Sequence, residues 1–401
     1  MAKECAVGYK GKIFYKGEVV EATLISEGER LAVRGPSAAC DCETCLEMRG
    51  TIALPGMVDA HVHTRGLMLS HKEDPLTASR AALKGGVVAI ADMPNTLPKI
   101  NNLEILKKRL EEFKRTCLVD CYQYAGVPES PEELRAMSKH VVGVKVYPED
   151  YPNLHVLRNY DGLIVVHPEH PAFVKESPDP GERGLSRSPF AEPAAMELFR
   201  GFSKVHFTHV STPEGARKAE EMGFTFDVTP HHILLNNEVE KLKGCVAKVN
   251  PPLRDEPRRG MMFDIFVNKD VMMVTDHAPH AVWEKELPFY DCPPGFPGLE
   301  TALPLLLTLY KRGIISLNKV VRSYSELPAK LLGLWPDLGR LETGSLASFT
   351  VVDVNERRRV EPWEFESKAK YSPFEGMNLW GEVVATVVRG KIRYFSGNFY
   401  Y

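Results

Sequence analysis

The stretch that decides the fold is Ile52-Ala53-Leu54-Pro55-Gly56-Met57-Val58, which runs directly into Asp59-Ala60-His61-Val62-His63-Thr64-Arg65. Side chains of an extended segment alternate between its two faces, so His61, His63 and Arg65 are expected to point the same way. An apolar strand that ends in two imidazoles and a guanidinium offers a metal site beside an anion site. A His-x-His pair alone is a weak signal, and its weight depends on how the other strands end.

Seven further apolar runs follow this first one along the chain. Between them lie stretches with helical spacing and paired Glu and Lys, such as residues 102–114 and 214–222. This alternation is typical of parallel β/α units. Eight units predict an α/β fold, a (β/α)8 TIM-type barrel with its working groups at the carboxyl ends of the strands. The seven runs are residues 87–91, 141–147, 163–166, 205–210, 225–228, 245–249 and 271–275.

Both ends of the chain read as short strands, over residues 6–35 at one end and over 348–354 and 383–394 at the other. We therefore predict that the two termini combine into one small β-sandwich domain. The predicted boundaries are residues 1–53 for its first part, 54–340 for the barrel and 341–401 for its second part.

Composition narrows the class of protein. The chain has 401 residues, a net charge of -3, 44% hydrophobic and 26% charged residues, which is ordinary for a globular protein. The small charge gives no argument for a nucleic-acid or anionic-membrane partner. No apolar run approaches the roughly 20 residues that span a bilayer, and the first residues lack the build of a signal peptide. A cytoplasmic enzyme with a small-molecule substrate is the expectation.

Three of the eight cysteines, Cys40, Cys42 and Cys45, lie within six residues. Such a cluster could bind zinc, form a disulfide or keep free thiols in a surface loop. A disulfide in a cytosolic protein is unusual outside hyperthermophiles, and the spacing alone leaves these alternatives open.

Polar side chains follow the apolar runs at their carboxyl ends. A single histidine there is more often structural, but several histidines, a lysine and an aspartate on one barrel face predict a shared site. These groups are His61 and His63, Asn95, Lys145, His167, His209, His231 and His232, Asn250, and Asp276 with His280.

The chemistry of this set favours metal-assisted hydrolysis. Imidazole and carboxylate suit Zn²⁺ or a similar ion. Lys145 stands in an apolar strand, where a lysine tends to lose its proton, and the neutral amine can react with CO₂ to form a carbamate that bridges two cations. Two metals would share a hydroxide, and Asp276 could move its proton to the leaving nitrogen. Such an assembly would break or make a carbonyl–nitrogen bond.

These motifs resemble those of the dihydroorotases in the amidohydrolase superfamily, in the branch that uses a carbamylated lysine. The resemblance covers about residues 50–350 and rests on Asp59–Arg65, Met93–Thr96, Gly143–Tyr147, Thr229–His232, Asn250–Arg254, Thr275–His280 and Pro293–Thr301.

The resemblance implies a metal site and a catalytic group. It implies two zinc ions per subunit, bridged by N6-carboxylated Lys145, and Asp276 as the general acid and base. The first ion would be held by His61, His63 and Asp276, and the second by His167 and His209.

The resemblance also implies a substrate and a reaction. Arg65, Asn95 and His280 would bind the substrate carboxylate, while Asn250, Gly295 and Phe296 would contact the pyrimidine ring. The implied reaction is the reversible cyclisation of N-carbamoyl-L-aspartate to L-dihydroorotate with loss of water, the third step of de novo pyrimidine synthesis. In this branch a Thr-Phe pair after the lysine closes over the substrate; here the loop is Pro148-Glu149-Asp150-Tyr151-Pro152, with Tyr151 as the candidate replacement.

Two alternatives remain. Other cyclic amidases, the dihydropyrimidinases and allantoinases, share the metal set, but their neutral rings would leave a buried Arg65 without a counter-charge. A non-catalytic barrel that scaffolds aspartate transcarbamoylase would typically have lost metal ligands, and this chain keeps all six. The native metal, homo-oligomer formation and association with a transcarbamoylase stay open.

Overall fold

The computed structural model describes residues 5–401, and its strands form two separate sheets. The amino-terminal strands are β1 (Val7–Tyr15), β2 (Glu18–Glu27), β3 (Arg30–Arg34), β4 (Thr44–Leu46) and β5 (Thr51–Pro55).

The second sheet contains eight strands that neighbour one another in chain order. Every adjacent pair is parallel, and a parallel bridge between Val62 and His277 joins the first strand to the segment after the last. The predicted (β/α)8 barrel is therefore confirmed. Its strands are β6 (Met57–Val62), β7 (Val87–Asp92), β8 (Asp120–Gly126), β9 (Gly143–Val146), β10 (Ile164–Val166), β11 (Val205–Phe207), β12 (Thr225–Val228) and β13 (Met272–Met273).

One predicted barrel strand is wrong, and one strand of the barrel was not predicted. The structure places β8 at Asp120–Gly126, where no strand was predicted, and residues 245–249 belong to no strand. Gly244–Ala247 instead forms a 3-10 turn, with Ala247 packed in an apolar cluster beside Val249. The count of eight strands is unchanged, since one strand was missed and one was wrongly assigned. Residues 245–249 were misassigned because a short apolar run does not by itself distinguish a strand from a buried turn.

Helices connect the barrel strands and cover the outside of the barrel. The predicted helices at 102–114 and 214–222 are confirmed as Leu103–Thr116 and Pro213–Glu221; Asn102 caps the first, accepting from the amide of Ile105. The helices are α1 (Pro75–Lys84), α2 (Leu103–Thr116), α3 (Pro131–Met137), α4 (Arg183–Ser186), α5 (Ala191–Glu197), α6 (Pro213–Glu221), α7 (Pro230–Leu234), α8 (Asn237–Lys243), α9 (Glu256–Asn268), α10 (Leu299–Lys311), α11 (Leu317–Val321) and α12 (Leu327–Leu331). A 3-10 segment, Pro148–Leu157, follows β9, and a π-helical turn, Arg322–Glu326, joins α11 to α12.

The other sheet combines both ends of the chain. Its later strands are β14 (Phe349–Arg359), β15 (Asn378–Val388), β16 (Lys391–Phe395) and β17 (Asn398–Phe399). The order is β17-β16-β15-β14-β5-β1-β2-β3, with β4 beside β1, so β5 and β14 form the seam between the termini. The predicted composite β domain is present as one continuous sheet, and the boundaries at residues 53 and 340 stay predictions.

Gly56 separates the two sheets. It lies between the end of β5 and the start of β6, where a Cβ would come within 2.3 Å of the Val88 side chain. Only glycine allows this close approach, so the chain passes from the terminal sheet into the barrel without displacing β7.

All eight cysteines form disulfides: Cys5–Cys42, Cys40–Cys45, Cys117–Cys121 and Cys245–Cys292. Of the alternatives for Cys40, Cys42 and Cys45, the disulfide is the one that the structure shows. Within residues 5–401, no helix has the length and apolar character needed to cross a lipid bilayer.

Candidate active site

The carboxyl ends of the barrel strands bring the predicted metal ligands together. His61 lies in β6 and Lys145 in β9, while His167, His209 and Asp276 follow β10, β11 and β13. We call these five residues and His63 the metal wall. Five of the six line a cavity of about 400 Å³. The sixth, Lys145, is buried and does not form part of the cavity surface.

His61, His63 and Asp276 form the tightest group of the metal wall. The Nε2 atoms of both histidines lie 3.2 Å from Asp276 Oδ1. Burial lowers the pKa of both imidazoles, so they are neutral at pH 7, the form that binds metals. Ligand atoms of these three residues lie within 4.8 Å of one another, a separation that one cation can bridge.

Protein partners fix the orientation of both rings. The Thr208 hydroxyl donates to Asp227 and so presents its lone pair to His61 Nδ1, 2.6 Å away. His63 Nδ1 donates to Asn95 Oδ1 over 2.7 Å. Because the Nδ1 atoms are engaged, both Nε2 atoms are left for a metal, as is usual for histidine ligands.

Lys145 is completely buried, and its Nζ has no hydrogen-bond partner among the described residues. Burial lowers the pKa of Lys145 to about 7. An unpartnered ammonium in such a place is costly, whereas a neutral amine is available to react with CO₂. A carbamate formed on this unpartnered nitrogen would place a carboxylate-like group beside the histidines of the metal wall.

His167 and His209 complete the metal wall, with ring centroids 4.6 Å apart and the His209 ring 5.1 Å from that of His61. His167 Nε2 donates to Glu169 over 2.7 Å, which leaves its Nδ1 for a metal. Although burial alone raises the pKa of Glu169, Arg187 and His167 hold it below its ordinary value. Imidazole, carboxylate and a modifiable lysine thus fit a pair of divalent cations.

A second group of residues on the same cavity includes a buried cation, Arg65. We call Arg65, Asn95 and His280 the anion wall. Arg65 is 7% exposed; its Nε donates to the Pro279 carbonyl over 3.0 Å, and its Nη2 lies 3.1 Å from His280 Nε2. Burial, together with the Arg65 charge, lowers the pKa of His280, so this histidine is neutral. Among residues 5–401, no carboxylate forms an ion pair with Arg65, and its charge faces a cavity that an anion can enter.

Three residues around the cavity adopt left-handed backbone conformations. The φ angles are 54° at Arg65, 44° at His209 and 48° at Asp276. Such conformations are uncommon for residues other than glycine and are often found at functional sites. At Arg65, the turn is held by Asp92, which accepts from the Thr64 amide over 2.7 Å.

The remaining predicted substrate residues have different positions. Asn250 and Gly295 line the cavity, and a Cβ at Gly295 would come within 2.5 Å of the Ala278 carbonyl. Phe296 does not line it: its ring packs against His231 and Phe374, with centroids 5.0 and 6.2 Å away. The Phe296 side chain thus belongs to the apolar core, and the predicted contact of this loop with the ring, much of it through backbone groups, stays a prediction.

The loop after β9 also differs from expectation. Tyr151 donates to the His167 carbonyl over 2.6 Å and is not among the cavity-lining residues, so it is not placed to cover a substrate. Tyr147 and Glu149 line the cavity instead, and the Tyr147 hydroxyl has no hydrogen-bond partner among the described residues. Tyr147 ends the Gly143–Tyr147 motif but was not predicted as a site residue.

Comparison with known proteins decides the family. The family model described as "Amidohydrolase family" matches residues 52–393, most of the chain. The chain belongs to the amidohydrolase family. Dihydroorotases from Pyrobaculum aerophilum and Sulfolobus acidocaldarius are 38% and 36% identical to this amidohydrolase. The first alignment covers 100% of this chain and 99% of the relative, and the second covers 98% and 96%.

Solved structures of other amidohydrolases share the fold. An L-hydantoinase (dihydropyrimidinase) from Arthrobacter aurescens superposes with a TM-score of 0.91 at 25% identity, covering 99% of this chain and 98% of that one. A dihydropyrimidinase from Brevibacillus agri superposes with a TM-score of 0.87 at 22% identity, covering 98% and 95%. The barrel and the terminal sheet are thus shared with these two solved structures.

Two further residues near the cavity, Arg187 and Glu169, were not predicted from the sequence. Arg187 lines the cavity and forms a buried ion pair with Glu169, the hydrogen-bond partner of His167. Glu169 stands two residues after His167, and that spacing was the one available signal. Nothing in the sequence marked Arg187, because its contact with Glu169 depends on how the intervening loop folds.

Proposed function

We propose that this chain is a zinc-dependent dihydroorotase that interconverts L-dihydroorotate and N-carbamoyl-L-aspartate. The observation that carries the proposal is the buried Arg65, which faces the same cavity as the metal wall and has no carboxylate partner among the described residues. L-Dihydroorotate combines a cyclic amide with a ring carboxylate and so matches both walls. The similarity to curated dihydroorotases supports the same assignment.

The residues that would hold two Zn²⁺ ions follow from the donor set. His61, His63 and Asp276 would hold one, His167 and His209 the other, and carboxylated Lys145 would bridge them. When bound, the ions would supply an activated water and polarise the amide carbonyl.

The anion wall would orient the substrate. Arg65 would form charge-assisted hydrogen bonds to the ring carboxylate, beside the neutral ring of His280. The Asn95 side chain accepts from His63 through Oδ1, which leaves its amide nitrogen free to donate to the same carboxylate. Asn250 and the backbone near Gly295 would contact the pyrimidine ring.

Asp276 would move the proton. In ring opening, its carboxylate takes a proton from the attacking water and delivers it to the ring nitrogen as the carbon–nitrogen bond breaks. In cyclisation the same proton returns, and water leaves. Asp276 lines the cavity with its Oδ1 atom 3.2 Å from Nε2 of both His61 and His63, so its carboxylate lies beside the atoms that would hold the activated water.

The test is steady-state ring opening by zinc-loaded protein with L-dihydroorotate, dihydrouracil and allantoin. We expect turnover of L-dihydroorotate alone, because the two neutral rings cannot compensate the buried Arg65 charge. A preference for either neutral ring would contradict the proposal and move the chain to another cyclic amidase. Two bound metals without activity on any of the three would favour a non-catalytic scaffold. A cytoplasmic location and an aspartate transcarbamoylase partner remain predictions.

A further inference from the structure

The segment between β10 and α5 carries two arginines that are buried although the segment itself lies at the surface. Arg183 is 0% exposed and Arg187 is 7% exposed. Both contact Glu176, each through a different carboxylate oxygen: Arg183 Nε lies 3.1 Å from Oε2, and Arg187 Nη1 contacts Oε1. One carboxylate of the segment thus links two guanidinium groups that reach into the protein.

Arg187 leads to the metal wall. It forms a two-pronged ion pair with Glu169, with Nε 3.1 Å from Oε1 and Nη2 2.6 Å from Oε2. Glu169 is completely buried, and its Oε2 also accepts from His167 Nε2 over 2.7 Å. Arg187, Glu169 and His167 therefore form one chain of charge-assisted hydrogen bonds that ends on a residue of the metal wall.

Arg183 contacts a different residue of the cavity lining. Its Nη1 donates to the Val249 carbonyl over 2.9 Å, and its Nη2 donates to Asn250 Oδ1. The two arginines therefore come from the same segment and share Glu176, yet only one of them is connected to a metal-wall histidine.

The pairing of Arg187 distinguishes it from Arg65. The Nε, Nη1 and Nη2 atoms of Arg187 all contact carboxylates, so its charge is already compensated inside the protein. Arg65 is the cavity arginine with no ion pair in residues 5–401. Arg187 is thus suited to hold a neighbouring group rather than to bind an anionic substrate.

We propose that Arg187 is a positioning residue for the metal held by His167: it fixes Glu169, and Glu169 fixes the His167 ring with Nδ1 towards the metal. This inference rests on the proposed function, since it assumes that His167 is a ligand. Without Arg187, Glu169 would be a buried carboxylate whose one remaining side-chain partner is His167, and either group could turn away from its present position.

The experiment compares Arg187→Met with Arg183→Met in the full-length, zinc-loaded protein. Metal content is measured by mass spectrometry after dialysis against graded chelator, and the Co²⁺-loaded proteins are compared by visible absorption. We expect Arg187→Met to lose one of its two ions at a chelator concentration about 10- to 100-fold lower than the wild type does. Its Co²⁺ spectrum should also differ from that of the wild type. Arg183→Met should retain both ions and instead raise KM for L-dihydroorotate.

Two results would overturn the inference. One is wild-type metal retention and an unchanged Co²⁺ spectrum in Arg187→Met. The other is equal metal loss in both variants, which would mean that disturbing the segment between β10 and α5 weakens metal binding whichever arginine is removed. If Arg187→Met fails to fold, Arg187→Lys provides the measurement: a single ammonium cannot reproduce the two-pronged pair, so we expect weakened retention, and wild-type retention would again contradict the proposal. Failure of the proposed function is distinguishable, because it would appear in the wild-type protein as absent metal binding or absent turnover.

Discussion

The metal wall and the anion wall face the same cavity, but their polar groups are paired in different ways. On the metal wall, one ring nitrogen of His61, His63 and His167 has a protein partner that orients the ring, so the other nitrogen is the candidate metal ligand. For His61 and His63 that nitrogen is Nε2, which lies 3.2 Å from Asp276 Oδ1, itself a candidate ligand. On the anion wall, Arg65 carries a buried charge that no carboxylate of residues 5–401 neutralises. The difference indicates that the metal wall is prepared for cations and the anion wall for an anionic substrate.

The largest expected effect comes from Asp276→Asn. This change keeps the size of the side chain but removes the proton acceptor, so we expect kcat for ring opening to fall about 10²- to 10⁴-fold. KM for L-dihydroorotate should change far less, because the anion wall is intact. Stopped assays with L-dihydroorotate, together with zinc analysis, measure both quantities. A kcat near that of wild type would show that Asp276 does not carry the proton.

A smaller effect is expected from pH on the loading of metal-free protein. Burial holds the pKa of Lys145 at about 7, below its ordinary value, so the neutral amine is lost as the pH falls through 7. At pH 6 only about a tenth of the lysine is neutral, and recovery of activity with Zn²⁺ and bicarbonate should be about tenfold slower than at high pH.

Lys145→Ala supplies the control for this pH dependence. A short carboxylic acid can replace the missing carbamate without any lysine titration, so its rescue should show no step near pH 7. Equal loading rates of the wild-type protein at pH 6 and pH 8 would contradict the role given to Lys145.

The smallest expected effect concerns the loop that contains Pro294 and Gly295, which line the cavity. Cys245–Cys292 ties down the residues just before Pro294 and Gly295, but two lysines also hold this loop: Lys248 Nζ donates to the Cys292 carbonyl over 2.8 Å, and Lys285 Nζ to the Pro293 carbonyl over 2.6 Å. Replacing both cysteines by serine should therefore raise KM by less than about tenfold, or about 1.4 kcal/mol, and leave the metal content unchanged.

The matched control is the same double replacement at Cys117 and Cys121, a pair that does not line the cavity. We expect no change in KM there. Loss of metal from the Cys245 and Cys292 variant would contradict the expectation that this loop affects substrate binding alone.

The sequence predicted the parts of the site that lie on strand ends. His61, Lys145 and His209 each follow or stand within a buried apolar run, and parallel strands bring such positions to one face. The strand β8 was missed because buried Gln123 interrupts its apolar pattern, with half-buried Asp120 at its start. Residues 245–249 were misassigned because a short apolar run also suits a buried turn.

The remaining features depend on loops, where spacing carries little information. The Arg187–Glu169 pair joins residues 18 apart through an irregular segment. The partners of Cys40 and Cys42 are set by the folding of the first strands, which spacing does not determine. The Phe296 ring turns into the core, although the same loop places Gly295 at the cavity.

The most direct test of the two-wall account is Arg65→Met, assayed with L-dihydroorotate and analysed for zinc. The variant removes charge-assisted hydrogen bonds worth about 3 kcal/mol to the substrate carboxylate, so KM should rise by about 100-fold. The metal content should stay at the wild-type level, since Arg65 holds no metal ligand. An unchanged KM for L-dihydroorotate would contradict the anion wall and, with it, the assignment of a carboxylated substrate.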